Sequence, residues 1–190
     1  LLLQLCGAPD GYSSVILNGS GTASIESVIA GMTGAMNGVL IVANGTYGDR
    51  AAEIAEVHGL PFEKLDFGWT SPIDLDRLEE SMLKTEMDTV YLVHHETTTG
   101  VLNPLRSIAA MAKSHGKWVL VDAISSICGE ELDLEGWQVD LVIGSANKCI
   151  RGVPGVSFVV LSDNLAQAFG KRRQAVYYND LLTHIEKEQS

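Results

Sequence analysis

The sequence predicts an α/β protein in which a mostly parallel sheet is covered by helices on both faces. Short, continuously apolar runs alternate along the chain with stretches whose apolar residues recur at helical spacing. Uninterrupted apolar strands are typical of parallel sheets, because such sheets are buried on both faces. The chain also has 19 glycines among its 190 residues, and they fall between these segments, where turns are needed.

The predicted strands are short runs rich in Val, Ile, Leu and aromatic residues, each bounded by glycine or polar residues. They cover residues 15–17 (VIL), 38–43 (GVLIVA), 62–67 (FEKLDF), 89–94 (TVYLVH), 117–122 (KWVLVD), 139–144 (VDLVIG) and 156–161 (VSFVVL).

The predicted helices lie between these strands and are marked by start and stop signals. The first follows residue 22, the second covers residues 49–58 and ends at Gly59, and the third covers residues 75–84 with Asp74 as its cap. A fourth runs over residues 104–115, and the polar tail 167–190 is predicted to be helical. No linker or repeat interrupts this pattern, so we expect one domain over residues 1–190.

Composition and charge exclude several classes of protein. With 24 acidic and 13 basic side chains, the net charge of −11 argues against a nucleic-acid partner. No apolar run approaches the roughly 20 residues of a membrane span. The three cysteines show no paired spacing, which predicts free thiols and a reducing, cytoplasmic compartment. Because the sequence lacks an initiator Met, we expect it to begin inside a larger protein.

A glycine-rich turn, Gly19-Ser20-Gly21-Thr22, separates the first strand from the helix after it. Its glycines permit close approach of the backbone, and a helix start offers free N–H groups and the positive end of the dipole. These features suit a phosphate group. The alternative is an ordinary turn with a hydroxyl cap. No Walker sequence occurs, and Ser24 stands where a dinucleotide fingerprint has its third glycine.

Two charged residues stand at the ends of predicted strands. Asp122 closes the strand 117–122, where a partly buried acid needs a cationic partner unless it only caps the following turn. Lys148 follows the strand 139–144 in Ser145-Ala146-Asn147-Lys148. A lysine held in a crevice can act as an imine-forming nucleophile, although most lysines are solvated surface residues.

The segment 94–100 (HHETTTG) carries polar residues at a further strand end. Adjacent histidines on a strand point to opposite faces, so His94 and His95 are poorly placed to share a metal ion, and one glutamate does not complete a zinc site. The threonines of residues 97–99 either reach a ligand or bond their own backbone.

In open α/β sheets, ligands bind beyond the carboxyl ends of the strands, so these features are expected to meet. Together they match the needs of pyridoxal 5′-phosphate: a lysine for its aldehyde, an acid for its pyridine nitrogen and a helix start for its phosphate. Tyr47, in the segment 44–48 that follows another strand, supplies an aromatic ring to stack on the pyridine.

The chain resembles the class V aminotransferases of fold type I. The matching stretches occur in the family's order and are GSGTASIES (19–27), NGTYGDR (44–50), HHETTTGVLNP (94–104), VLVDAISS (119–126) and SANKCIRGVPG (145–155). The last is the most specific and is typical of members that move an amino group from 2-aminoethylphosphonate to pyruvate. Within that pattern, Arg151 stands where glutamine is expected.

The resemblance implies a role for each matching residue. Lys148 would carry the Schiff base and move the proton, and Asp122 would pair with the pyridinium nitrogen. Ser20, Gly21 and Thr22 would hold the phosphate, and Tyr47 would stack on the ring. Two further residues are implied as cofactor-binding, namely Thr99, which would face the cofactor, and Asn147, which would orient the lysine.

The resemblance also implies an assembly and an extent. Fold type I enzymes place their active sites at a dimer interface, so a homodimer is expected. The family extends beyond both ends of this sequence, and its substrate-clamping arginine belongs to a C-terminal domain. We therefore expect residues 1–190 to be the cofactor-binding large domain. Other hypotheses are a class V enzyme of the alanine–glyoxylate type, an inactive fragment that binds phosphate or the cofactor, and a phosphate-binding module without chemistry.

Overall fold

The computed structural model describes residues 2–8, 10–170 and 176–188, and a seven-stranded sheet forms its centre. The strands of this sheet are β1 (Tyr12–Asn18), β2 (Val39–Ala43), β3 (Phe62–Asp66), β4 (Thr89–Val93), β7 (Trp118–Asp122), β8 (Leu141–Ser145) and β9 (Val156–Ser162). A separate two-stranded ribbon pairs β5 (His95–Glu96) with β6 (Val101–Leu102).

The seven strands lie in the order β1-β9-β8-β7-β4-β2-β3. Neighbours from β8 to β3 are parallel, whereas β9 runs antiparallel to both β8 and β1. As a result β1 runs in the same direction as β8, and every strand of this sheet except β9 ends at one edge. The predicted mostly parallel sheet is confirmed, and its common edge is where the strand-end residues meet.

Helices cover both faces of the sheet, as the sequence predicts. They are α1 (Leu2–Leu5), α2 (Gly21–Met32), α3 (Thr46–His58), α4 (Leu75–Lys84), α5 (Leu105–Ser114), α6 (Asp163–Phe169) and α7 (Leu181–Glu188). The cap predicted for α4 is confirmed, because the Asp74 carboxylate accepts the backbone N–H of Arg77 at 3.1 Å.

Several boundaries differ from the sequence prediction, among them β1, which covers Tyr12–Asn18 rather than residues 15–17, and β8, which covers Leu141–Ser145 rather than residues 139–144. Helix α3 begins at Thr46 rather than at residue 49, because the buried carboxylate of Glu96 accepts hydrogen bonds from N–H groups of its first turn. The tail does not form one continuous helix, since α6 and α7 are separate elements. The parts of that prediction that fall on residues 171–175, 189 and 190 lie outside the described residues.

The alternation of side chains along each strand divides the core into two layers. On β2, Val39 and Ile41 pack into the layer that contains α2 and α3, whereas Leu40 and Val42 pack into the layer that contains α4 and α5. Burying an aliphatic side chain of this size stabilises the fold by roughly 1.5–3 kcal/mol. Both layers therefore fix the sheet, and with it the edge at which the strands end.

None of the helices in the described parts of the chain is long and apolar enough to cross a membrane. The three cysteines, Cys6, Cys128 and Cys149, are free thiols, which confirms the prediction from their spacing.

Candidate active site

A cavity of about 220 Å³ opens at the sheet edge where β1, β4, β7 and β8 end. It brings together seven of the eight site residues that the sequence predicts, from four separate segments of the chain. These are Ser20, Gly21, Thr22, Tyr47, Asp122, Asn147 and Lys148.

The start of α2 forms one wall of the cavity. Ser20 occupies the position before the helix, but its side chain does not cap the helix, so the hydroxyl-cap interpretation does not hold. Gly21 packs closely against Ile124, another wall residue, because a Cβ atom at residue 21 would lie 2.3 Å from Cδ1 of Ile124 and would force that side chain to shift. The first N–H groups of a helix have no partner within the helix, so this wall presents donors suited to an anion.

Ser24 explains why this turn departs from the dinucleotide pattern. Its side chain is fully buried, and its hydroxyl donates a hydrogen bond to the hydroxyl of Ser157 at 2.7 Å. This bond ties the first turn of α2 to β9. A serine therefore anchors the helix at a place where a dinucleotide fold has a glycine.

Asp122 ends β7 and lies level with Val93 of β4 and Ile143 of β8. Its side chain is buried, and its carboxylate accepts a single hydrogen bond within the described residues, from the backbone N–H of Ile124 at 2.9 Å. Burial raises the pKa of Asp122 to about 7, and the charge of Glu96 adds to the rise. Such an acid fits a cationic partner brought by a ligand.

Lys148 reaches the cavity from the loop after β8. The side chain is exposed, and its ammonium group forms no hydrogen bond or ion pair with any residue that the structure describes. The preceding residue, Asn147, is held by Ser145, whose hydroxyl donates to Asn147 Oδ1 at 2.7 Å. Arg151, the residue that departs from the family pattern, is exposed with φ 59° and does not line the cavity.

The first turns of α3 provide another wall. Tyr47 lines the cavity, and the guanidinium of Arg50, one turn later, lies 4.9 Å from the centre of its ring. Arg50 also donates a hydrogen bond to Oγ1 of Thr22 at 3.3 Å. The arginine therefore adds a positive charge beside the start of α2, on the side of the cavity that is suited to an anion.

In the segment after β4, the threonine that lines the cavity is not the one that the family resemblance implies. Thr97 lines the cavity, whereas Thr99 does not and instead donates its hydroxyl to the Glu96 carbonyl at 3.3 Å. The two histidines face different cavities, but not through alternation along one strand, because His94 lies between β4 and β5 and His95 begins β5. His95 lines this one, and buried His94, whose pKa falls to about 4 mainly because of burial, bonds to Ser126 and lines another.

Sequence reasoning did not single out several wall residues. Arg50 and Ser125 lie inside the family-like segments, and a helical register counted from Tyr47 is the signal that points to Arg50. The apolar residues of the wall, such as Ile124, carry no chemical signal and are found only from the fold.

The residues present fit pyridoxal phosphate. A buried carboxylate without a cationic partner, a lysine without a partner among the described residues and an uncapped helix start line one cavity. These are the groups that the ring nitrogen, the aldehyde and the phosphate need. Within the described residues, no cluster of three or more His, Cys, Asp or Glu side chains is arranged to hold a metal ion.

Fold and site together define an α/β protein with a ligand-sized cavity at the ends of its parallel strands, and comparison with known proteins gives its family. The model of the family described as "Aminotransferase class-V" matches residues 3–185. The chain therefore belongs to the class-V aminotransferases.

Curated relatives give a narrower similarity. The chain is 43% identical over 152 residues to a 2-aminoethylphosphonate–pyruvate transaminase of Phocaeicola vulgatus, covering 80% of the chain and 42% of that protein. It is 41% identical over 174 residues to the enzyme of the same name from Klebsiella pneumoniae, covering 90% and 47%. The chain spans about half the length of the curated relatives it matches.

Solved structures confirm the fold. Ureidoglycine–glyoxylate aminotransferase from Bacillus subtilis is similar with a TM-score of 0.91 and 27% identity, covering 100% of this chain and 49% of that one. Alanine–glyoxylate aminotransferase from Nostoc sp. is similar with a TM-score of 0.88 and 27% identity, covering 95% and 48%.

Proposed function

We propose that the protein is a pyridoxal-phosphate-dependent transaminase that moves the amino group of 2-aminoethylphosphonate to pyruvate, giving phosphonoacetaldehyde and L-alanine. One observation carries the catalytic part of this proposal: Lys148, Asp122 and the start of α2 line a single cavity. The substrates are supported by relatives of that name at 41–43% identity, whose similarity extends over most of this chain.

Each wall of the cavity has a task in this proposal. Lys148 binds the cofactor's aldehyde through Nζ, and Asn147 orients the lysine. Asp122 holds the pyridine nitrogen in its protonated form. Ser20, Gly21 and Thr22 bind the phosphate with backbone and hydroxyl donors. Tyr47 packs its ring against the cofactor, and Thr99 is kept as a more remote contact because Thr97 is the threonine in the wall.

Bound pyridoxal phosphate supplies a protonated ring that accepts the electron pair left when a C–H bond of the amino substrate is broken. With its Nζ no longer bonded to the cofactor, Lys148 would act as the base that takes a proton from the aminomethylene carbon of the substrate. The carboxylate of Asp122 stabilises the positive charge on the ring nitrogen during this transfer. Nζ of Lys148 would then deliver that proton to the aldehyde-derived carbon of the cofactor, and water would have to release phosphonoacetaldehyde before the first half of the reaction is complete.

A related activity is the second candidate. The fold similarity to the alanine–glyoxylate and ureidoglycine–glyoxylate aminotransferases is close over nearly the whole chain. The residues around the cofactor are expected to be shared by all these enzymes, so they do not distinguish the amino donors. The curated relatives at higher identity favour 2-aminoethylphosphonate.

The proposal also states which part of the protein residues 1–190 form and how many subunits the protein has. We place residues 1–190 in the cofactor-binding large domain, which is supported by the share of the relatives that the chain covers. A homodimer is part of the proposal because the fold type I enzymes that the chain resembles place their active sites at a dimer interface. Sedimentation equilibrium tests the assembly, and a monomeric mass would contradict it.

The decisive assay uses the protein at its full encoded length, loaded with pyridoxal phosphate. It compares two pairs of substrates: 2-aminoethylphosphonate with pyruvate, and alanine with glyoxylate. We expect pyruvate to become alanine with 2-aminoethylphosphonate as donor, and we expect Lys148→Ala to abolish this turnover. Efficient transfer from alanine to glyoxylate, without transfer from 2-aminoethylphosphonate, would favour the second candidate. No transfer with either pair, despite bound cofactor, would contradict both.

A further inference from the structure

The carboxylate of Glu96 is buried against the first turn of α3. The residue is 0% exposed, and Oε2 accepts the backbone N–H of Tyr47 at 3.0 Å and that of Gly48 at 3.4 Å. These N–H groups have no partner within the helix. A negative charge at this end of a helix is also favoured by the helix dipole.

The second carboxylate oxygen is held by the turn after β5. Oε1 of Glu96 accepts the hydroxyl of Thr98 at 2.6 Å and its backbone N–H at 3.4 Å. The same hydroxyl oxygen accepts the N–H of Thr46 at 3.2 Å. Both oxygens are therefore fixed, and Glu96 joins the β5 turn to the start of α3.

Gly45 shows how closely the two segments approach. Its φ of 173° is extended backbone that any residue adopts, so the backbone conformation does not require glycine. A Cβ atom at this position would, however, lie 2.3 Å from Cγ and 2.5 Å from Cδ of Glu96. The absence of a side chain at residue 45 is therefore needed to seat the Glu96 carboxylate.

Glu96 itself does not line the active-site cavity, but the helix that it holds does. Tyr47 lies in the first turn of α3 and Arg50 one turn later, and both belong to the cavity wall. The charge of Glu96 also contributes to the raised pKa of Asp122, which shows that the two carboxylates are close enough to interact.

We propose that Glu96 is a positioning residue, which sets the place of Tyr47 and Arg50 in the cavity by anchoring the start of α3. This proposal rests on the proposed function, because it takes the cofactor to be what Tyr47 and Arg50 contact. It assigns Glu96 no direct contact with the reacting atoms. Its effect on binding passes through the backbone of residues 46–48.

The test compares Glu96→Ala and Glu96→Gln with Asp74→Ala, in the protein at its full encoded length. Asp74 is the matched control because it caps α4 through one backbone N–H, away from the cavity. The measurements are the dissociation constant of pyridoxal phosphate, the visible circular dichroism of the bound cofactor and the midpoint of thermal unfolding.

We expect Glu96→Ala to weaken pyridoxal phosphate binding by about tenfold, the scale on which outer partners of binding residues act. The visible dichroism should change as well, because the aromatic ring beside the cofactor moves. Glu96→Gln keeps one acceptor oxygen and should lie between the alanine variant and the wild type. Asp74→Ala should lower the unfolding midpoint and leave the binding and the dichroism unchanged.

Gly45→Ala tests the same contact by changing the residue against which the Glu96 side chain packs. The added methyl group should displace the Glu96 carboxylate and weaken binding on its own. In a Glu96→Ala background the space is already open, so the same substitution should add little. This loss of additivity is expected only if the two residues act through one contact. If Glu96→Ala fails to fold, Glu96→Gln and Gly45→Ala carry the test.

The proposal would be overturned if the Glu96 variants lowered the unfolding midpoint but bound pyridoxal phosphate with unchanged affinity and dichroism. Glu96 would then be a helix cap and nothing more. Failure of the proposed function has a different signature, because the wild-type protein would itself bind no pyridoxal phosphate.

Discussion

Asp122 and Lys148 line the same cavity, and neither side chain forms an ion pair with any residue that the structure describes. An acid and an amine that have no ion-pair partner among the described residues provide two separate attachment points for a ligand. A ligand with a basic nitrogen and an aldehyde satisfies both groups at once. Pyridoxal carries both a basic ring nitrogen and an aldehyde. Several predictions about the cavity depend on the placement of Asp122 and Lys148 in one cavity.

The first prediction concerns the stability of the cofactor-free protein. Burial raises the pKa of Asp122 from its ordinary value of 3.8 to about 7. Between these values the folded protein holds a proton that the unfolded chain has lost, so this group makes stability fall as pH rises from about 4 to 7. Asp122→Asn cannot ionise. We therefore expect it to be more stable than the wild type at pH 8, and the difference to shrink towards pH 4, measured by urea unfolding.

Asp140→Asn is the matched control. Asp140 is also buried, but its carboxylate pairs with Lys113 and accepts the backbone N–H of Val119 at 2.7 Å. Removing its charge leaves the ammonium of Lys113 without its partner, and this loss opposes the gain from removing a buried carboxylate whose pKa burial also raises. Asp140→Asn should therefore gain less stability at pH 8 than Asp122→Asn does. A pH-independent effect of Asp122→Asn would contradict the account of its carboxylate.

In the protein loaded with pyridoxal phosphate, the same Asp122→Asn substitution should impair catalysis, although it stabilises the cofactor-free protein at pH 8. The amide no longer favours a protonated ring nitrogen, so the turnover number should fall by about 100-fold, a typical loss for one preorganised electrostatic contact. Cofactor affinity should fall only modestly, because the lysine and phosphate contacts remain. Steady-state kinetics and equilibrium dialysis measure the two effects, and unchanged turnover would remove Asp122 from its proposed role.

Arg50 is expected to act on the phosphate end of the cofactor. Its guanidinium bonds to Thr22 and stacks on Tyr47, so it lies beside the start of α2. Arg50→Met should weaken pyridoxal phosphate by about tenfold, the scale of one hydrogen bond to a charged group, and weaken unphosphorylated pyridoxal much less.

The control for this substitution is Arg77→Met on α4. Arg77 lies 4.8 Å from the ring of Phe67, so it makes a similar stacking contact without lining the cavity. It should bind both ligands as the wild type does. Equal losses for pyridoxal phosphate and pyridoxal in Arg50→Met would show that Arg50 does not contact the phosphate.

The buried tyrosine of β4 predicts a stabilising substitution. The hydroxyl of Tyr91 is buried without a hydrogen-bond partner among the described residues, and burial raises its pKa well above the ordinary value. Leaving a buried polar group unsatisfied costs about 1–3 kcal/mol. Tyr91→Phe should therefore raise the free energy of unfolding by about 1 kcal/mol in chemical denaturation.

Tyr12→Phe is the control, because it makes the same change at a tyrosine whose hydroxyl forms hydrogen bonds. The Tyr12 hydroxyl donates to the carbonyl of Val139 at 2.9 Å and approaches that of Leu134 at 3.2 Å. This substitution should lower the free energy of unfolding by about 1 kcal/mol. If both variants lose stability to the same extent, the Tyr91 hydroxyl has a partner in solution.

The main strands of the sheet follow from the sequence because local signals and tertiary packing agree there. Residues 38–43 and 118–121 are continuously apolar, and both runs lie in central strands that are buried except for half-buried Trp118. The start of α3 was not predictable in the same way. It depends on the carboxylate of Glu96, which is distant in sequence and reaches the helix only in the folded chain.

The candidate site also contains residues whose place follows from the sequence and residues whose place depends on the folded chain. Asp122 ends an apolar strand and Lys148 lies in the loop directly after another, so their place at the sheet edge follows from topology. The choice between Thr97 and Thr99 does not, because it depends on the ribbon formed by β5 and β6, which no periodicity predicts. Arg50 lies one turn after Tyr47, and only the orientation of α3 shows that both face the cavity.

Covalent trapping tests the central claim most directly. The protein is incubated with pyridoxal phosphate, reduced with borohydride and digested, and the labelled peptide is identified by mass spectrometry. We expect one label, on Lys148, and none in Lys148→Ala. A label distributed over surface lysines such as Lys84, or one that persists in Lys148→Ala, would contradict the proposal that this cavity binds the cofactor.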